Sequence, residues 1–232
     1  GEVGYNNRPG PIPAVGVSKE VGAALERDAA DGAEVTLDVD CRNEPTTSRN
    51  VSGELGPDTD EVVLLTAHVD AHDIAPGAND NGAGTVLVAE VARLLKQVED
   101  ALETRVRCVV FGSEEIGLRG AYHLADTIDL DAVKAVINID GAGRNPTLSV
   151  GTNQFDELEA LFEEVTDELR VPLDTRTNVR PHADQWAFVQ EGVPGASVSS
   201  TNPDDSGRGW GHTHADTLDK VDVQDLRNHA IS

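Results

Sequence analysis

Apolar positions recur in two different periods along this 232-residue chain, and the alternation between those periods outlines a fold. Residues 61–67, 105–111, 133–139, 147–150, 172–177 and 194–199 form short apolar or alternating runs rich in β-branched side chains, and each predicts a strand. Between them, residues 82–98, 117–126, 155–169 and 183–191, and a stretch beginning near Asp222, carry the spacing of helices. Strands that alternate with helices predict an α/β architecture: a three-layer sandwich with a mostly parallel central sheet flanked by helices. That pattern spans residues 48–232. Ahead of it, residues 12–17 predict a strand, Ser18 an N-cap, residues 19–30 a helix and residues 34–40 an alternating strand. This βαβ segment is too small to stand alone, and the polar stretch 41–49 connects it to the larger region. Two domains are expected, 1–47 and 48–232.

Charge changes the picture more than length does. Asp and Glu number 42 against 18 Lys and Arg, a formal net charge of −24, so nucleic acid and anionic membrane surfaces are excluded as natural partners on electrostatic grounds. Lys19, Lys96, Lys134 and Lys220 are the lysines and methionine is absent, a surface that resembles those of halophilic proteins. Cys41 and Cys108 lie in unlike contexts, Cys108 within an apolar strand run, so a disulfide framework is not expected. No apolar run reaches transmembrane length and no basic-then-apolar leader opens the chain, which reads as soluble. Compartment and oligomeric state are open.

The candidate chemistry sits where strands end. In an open sheet of this kind ligands bind beyond the carboxyl ends of the strands. His68 follows the run Val62 to Thr66, Glu114 and Glu115 follow Val106 to Phe111, and Asp140 follows Ala135 to Ile139. His68 and Asp70 are two apart on an extended segment, so Asp70 could hold one imidazole nitrogen and fix the tautomer that offers the other to a metal; a surface His-Asp pair is the plainer alternative. Asp80 lies in the turn Gly77-Ala78-Asn79-Asp80-Asn81, where its two oxygens could bridge a pair of cations or merely cap the following helix. Glu114 and Glu115 point to opposite sides, so that one can bind metal while its neighbour faces substrate. Asp140 closes a buried strand and needs a partner, because unpaired burial of a carboxylate is costly. His212 and His214 compete for the last ligand position, and spacing alone does not choose.

Taken together, these motifs resemble peptidase family M28, whose members are mostly dizinc aminopeptidases of the zinc-peptidase fold, from about residue 50 to the C-terminus. The resemblance implies that His68 and Asp140 bind one zinc, that Glu115 and His212 bind the other, and that Asp80 bridges them. It further implies Glu114 as general base and acid acting on a metal-activated water, Asp70 as a catalytic partner of His68, and a cis peptide bond between Asp80 and Asn81. The pattern His-Thr-x-x-Asp-Thr selects His212 over His214. Cobalt or manganese would suit the same ligands. The implied substrates are peptides, the implied reaction is release of N-terminal residues, and the first segment resembles the closing portion of a protease-associated domain. Where relatives carry Ser-Asp-His, this chain has Ala183-Asp184-Gln185, and where some place an oxyanion-steadying tyrosine it has Arg180, with His182 nearby.

Three rival readings remain at this point. An M20-like carboxypeptidase or dipeptidase would insert a lid domain between Glu115 and His212, for which the chain has no room. A glutaminyl-cyclase-like enzyme would hold a single zinc. An inactive peptidase-fold binding protein would be expected to have lost ligands, and here every position is filled.

Overall fold

A computed structural model of the chain describes residues 12, 14–40, 44–171, 173–201 and 209–231, and the chain divides into two compact units, Gly1–Thr47 and Ser48–Ser232. In the first unit helix α1 (Lys19–Ala30) forms where its spacing predicts, with the Ser18 hydroxyl accepting the Val21 N–H at 3.3 Å. None of its residues is buried. The strands expected at 12–17 and 34–40 do not form: residues 14–17 and 34–40 carry no strand, and all of 34–40 are exposed, while position 13 lies outside the described residues. The physical reason is that β-propensity is realised only against a pleated neighbour that supplies the ladder, and among the described residues of this unit there is none.

The second unit is built on seven strands: β1 (Val51–Leu55), β2 (Val62–His68), β3 (Arg105–Phe111), β4 (Val133–Ile139), β5 (Leu148–Gly151), β6 (Leu173–Arg176) and β7 (Gly195–Ser200). Their order across the sheet is β1-β3-β2-β4-β7-β5-β6. The four central strands β3, β2, β4 and β7 run parallel, while β1 pairs antiparallel with β3 and β5 pairs antiparallel with β7. Strand β1 escapes the sequence pattern because Ser52, Gly53 and Glu54 dilute it; it forms as an edge strand, where Glu54 reaches across to Arg107.

Alternation along β2 explains the layering. Val62 and Leu64 point into one core with Val109, Phe111, Ala121 and Phe188, while Leu65 and Ala67 point into the other with Leu87, Val88, Val150 and Leu158. The first core is covered by α3 (Arg119–Ala125) and α5 (Trp186–Val189); the second by α2 (Gly84–Leu95), α4 (Asp156–Leu169) and α6 (Val223–His229). A sheet buried on both faces is the three-layer sandwich the alternation predicts.

Register aligns the carboxyl ends of the central strands. His68 pairs with Phe111 across β2 and β3, and Thr66 pairs with Asn138 across β2 and β4. The segments leaving after His68, Phe111 and Ile139 therefore emerge side by side at one edge. At that edge α2 begins so close to β4 that a Cβ on Gly84 would collide with the Ile139 carbonyl oxygen and with Asn81 Oδ1. Cys108 is a free thiol, and Cys41 lies outside the described residues.

Candidate metal centre

His68 is the last residue of β2 and its side chain is 1% exposed. Its Nδ1 lies 3.0 Å from the backbone oxygen of Asp70, which places a proton on Nδ1 in the neutral ring and turns the lone pair of Nε2 inward. Nε2 is buried without a hydrogen-bond partner, 3.4 Å from Asp80 Oδ1 and 3.5 Å from Asp140 Oδ1. A lone pair facing two carboxylates is an arrangement that calls for a cation between them. In the metal-free protein a proton takes that place: burial opposes the charged form of the ring, yet Asp140 and Asp80 outweigh that and hold its pKa well above the ordinary histidine value.

Asp70 does not hold the ring as the spacing suggests. Its carboxylate oxygen is 3.8 Å from His68 Nδ1, beyond hydrogen-bond range, and it is the backbone carbonyl of Asp70 that fixes the imidazole. The carboxylate instead accepts two consecutive amides, Glu114 N–H at 3.0 Å and Glu115 N–H at 3.1 Å. Strand β2 ends at His68, so the strict alternation that would put residues 68 and 70 on one face no longer holds.

Held this way, the acidic pair separates. Glu114 is nearly buried, and burial pushes its carboxyl up to about 10; the positive charge of His68 opposes this while Asp140, Asp184 and Glu115 add to it. Glu115 turns the other way: its Oε1 accepts the His72 N–H at 3.1 Å and its Oε2 lies 2.8 Å from His212 Nε2. The residue before the pair, Ser113, has a left-handed backbone with φ 63°, as does His212 with φ 61°. Non-glycine residues held in that region cluster at functional sites, where the surrounding contacts over-determine them.

Asp80 stands between the two histidines. One oxygen is 3.4 Å from His68 Nε2 and the other 3.3 Å from His212 Nε2. Its loop is pinned by buried Asn81, whose side chain donates to the Ile139 carbonyl at 2.8 Å and accepts the N–H groups of Gly84 and Gly141. The Asp80–Asn81 peptide bond is cis. His68, Glu114 and Asp140 offer ligand atoms that all lie within 4.8 Å of one another, and so do Asp80, Glu115 and His212. His214 joins neither cluster.

The donor set of two imidazoles and four carboxylates, with an orphaned buried Nε2 at its centre, fits a pair of divalent cations bound through nitrogen and oxygen. Arg180 and His182 belong to neither cluster. The Arg180 backbone donates to Asn153 Oδ1 at 2.8 Å and accepts from Gln185 Nε2 at 2.8 Å. Asp184, which survives from the altered Ser-Asp-His motif, is fully buried behind the centre, and burial pushes it up to about 8; His68 opposes that push, and Asp140 and Asp70 reinforce it.

Sequence reasoning did not single out two residues that contact this cluster. The His72 ring stacks on His212 with centroids 4.9 Å apart, and its only sequence signal was proximity to the His68 motif. Asp216 was legible only as part of the His-Thr-x-x-Asp-Thr pattern, although its carboxylate accepts the Asn79 and Asp80 amides.

The chain is similar to several known proteins. The chain is 32% identical over 230 residues to leucine aminopeptidase 2 of Trichophyton equinum, covering 85% of this chain and 45% of that protein. It thus spans about half the length of the curated relatives it matches. Among solved structures, a zinc aminopeptidase from Bacillus subtilis superposes with a TM-score of 0.70 at 26% identity, over 78% of this chain and 48% of that one. A glutaminyl cyclase from an Acidobacteriales bacterium shares the fold, with a TM-score of 0.66 at 21% identity over 78% of this chain and 70% of that one. The model of peptidase family M28 matches residues 50–231, and the chain belongs to that family.

Proposed function

We propose that this chain carries the centre of an aminopeptidase that uses two zinc ions to hydrolyse the first peptide bond of its substrates. One observation carries the proposal: Asp80 offers a separate oxygen to each of two histidines that belong to different ligand clusters. The names of the relatives, leucine aminopeptidase and zinc aminopeptidase, support the reaction class and the metal. Cobalt and manganese suit the same donors.

His68 and Asp140 would hold one ion, Glu115 and His212 the other, and Asp80 both. Bound there, the metals would supply Lewis acidity, which lowers the pKa of water from 15.7 to about 7 and polarises a carbonyl. Glu114 takes the proton of the attacking water and returns it to the leaving amine. Its burial raises its proton affinity, and the positive charge of bound cations would bring that affinity back down to where the carboxylate can both take a proton and return it. Asp70 acts by holding the amides of Glu114 and Glu115, so that one carboxylate faces each side. Arg180 and His182 are the proposed donors to the developing oxyanion. With a net charge of −24, the chain also favours approach of a cationic free amino terminus over an anionic carboxylate end.

The acid-rich surface is proposed as a halophilic adaptation, and residues 1–47 as the closing part of a protease-associated module. No helix among the described residues is long and apolar enough to cross a membrane. The decisive assay pairs aminoacyl anilides with the same compounds blocked at the amino group, in high salt with added zinc. Cleavage of the free-amine series alone, with two zinc ions per chain, is the expected result. A single zinc would favour the cyclase-like alternative, and equal cleavage of blocked substrates would reject aminopeptidase specificity.

A further inference from the structure

Two aspartates around this centre make the same unusual contact. Asp70, two residues beyond His68, spends both carboxylate oxygens on the consecutive amides of Glu114 and Glu115. Asp216, four residues beyond His212, does the same to a different segment: Oδ1 accepts the Asn79 N–H at 2.8 Å and Oδ2 accepts the Asp80 N–H at 3.0 Å. The backbone oxygen of Asp216 takes the Ala78 N–H at 3.2 Å, so three consecutive amides end on one residue.

We propose that Asp216 is a positioning residue of the metal centre, which fixes Asp80 by its backbone and locks it to the segment that carries His212. The inference rests on the proposed paired-metal reading of this centre.

Several features argue for this role over a merely structural one. Asp216 is 0% exposed, and a buried carboxylate is tolerated only when hydrogen-bonded and charge-compensated. It has two charge-assisted bonds to amides and the electrostatic company of the half-buried Arg144 guanidinium, which also feels Asp80 and Asp140. The path from Asp216 back to His212 is short and turned, with Asp216 N–H bonded to the Thr213 carbonyl and Thr213 N–H to that of Trp210. A shift of Asp216 would therefore move both a histidine ligand and the carboxylate shared by the two half-sites. A helix cap would need only one oxygen and would have no bearing on His212.

The test compares the wild-type holoenzyme with Asp216→Asn, which keeps the side chain's size but turns an NH2 group against one of the two amide donors. Zinc affinity is read by competition with a chromophoric chelator, and ligand geometry by the visible d–d bands of the cobalt-loaded proteins. The variant is expected to bind zinc about 10- to 100-fold more weakly, as when groups supporting metal ligands are removed, and to show altered cobalt bands. A variant whose metal-free stability falls while zinc affinity and cobalt bands stay at wild-type values would make Asp216 a cap only and overturn the proposal. A wild-type stoichiometry below two would instead overturn the paired-metal reading, and this inference with it. Hydrogen exchange in the metal-free wild type keeps the question answerable if the variant does not fold. Slow exchange at the Asn79 and Asp80 amides is expected, and exchange at unstructured rates would overturn the proposal.

Discussion

His68 leaves the end of a central strand and is 1% exposed, whereas His212 stands on a turn with φ 61° and is 28% exposed. The first of these proposed ligands is positioned by the sheet: its strand is hydrogen-bonded on both sides, and its ring is fixed by the carbonyl of Asp70. The second has no strand beneath it and is held by contacts made at a distance, through Glu115, the stacked His72 ring and the Asp216 bonds to the Asp80 loop. One half of the proposed centre is thus a product of secondary structure, and the other of tertiary contact. Local opening free energies run from near zero in loops to the global value in core strands, so the two halves are expected to differ in how readily they release a metal.

The largest expected effect lies in the buried half. Glu114→Gln should keep bound zinc yet lower turnover by about 10²- to 10⁴-fold, the usual contribution of a general base, as read by steady-state kinetics beside elemental analysis. Wild-type turnover in that variant would exclude Glu114 from proton transfer. The comparison itself is sharpened by paired substitutions. His68→Ala should cost the metal-free protein about 1–3 kcal/mol in denaturant unfolding, because it empties a buried site and strips Asp80 and Asp140 of their facing ring. His212→Ala should abolish tight binding of one zinc while leaving metal-free stability nearly unchanged. Equal losses would erase the distinction between the two halves.

A smaller effect comes from pH. Glu114 and Asp184 have folded pKa values of about 10 and about 8, above their ordinary values, so between those values the native state holds protons that the unfolded chain has released. Their contribution to stability is therefore lost as pH rises from about 4 toward 8. His68, also raised, loses its contribution in the same direction, from its ordinary value upward. The melting temperature of metal-free protein should fall from pH 5 to pH 8, and zinc should flatten that slope by supplying the positive charge at fixed position. A rising profile would contradict these environments. The smallest effect per charge is salt: melting temperature should climb from dilute to multimolar KCl, because like charges are screened over about 3 Å at 1 M, and a flat response would remove the halophilic proposal.

The same contrast explains which residues were legible in the sequence. His68, Glu114, Glu115 and Asp140 stood out because each follows an apolar run, and a strand's end is visible in one dimension. Asp216 did not, since its partners lie 136 and 137 residues away and are backbone amides, which carry no residue identity. Asp70 was singled out, but its carboxylate makes a different contact from the one its spacing suggests, because the period of two stops where the strand stops. The strands expected at 12–17 and 34–40 show the converse error, in which local preference is read without a neighbour to realise it. The sandwich itself was legible because both faces of β2 carry apolar side chains, a pattern that only a sheet covered on both sides can bury.

The pairing of His68 with Phe111 and of Thr66 with Asn138 also limits how this chain can vary in length. Deleting one residue within β2 would turn His68 to the opposite face of the pleat, toward the wrong helical layer. Gains and losses of single residues should therefore be tolerated in the connections at the far edge of the sheet and be lethal to metal binding within the central strands.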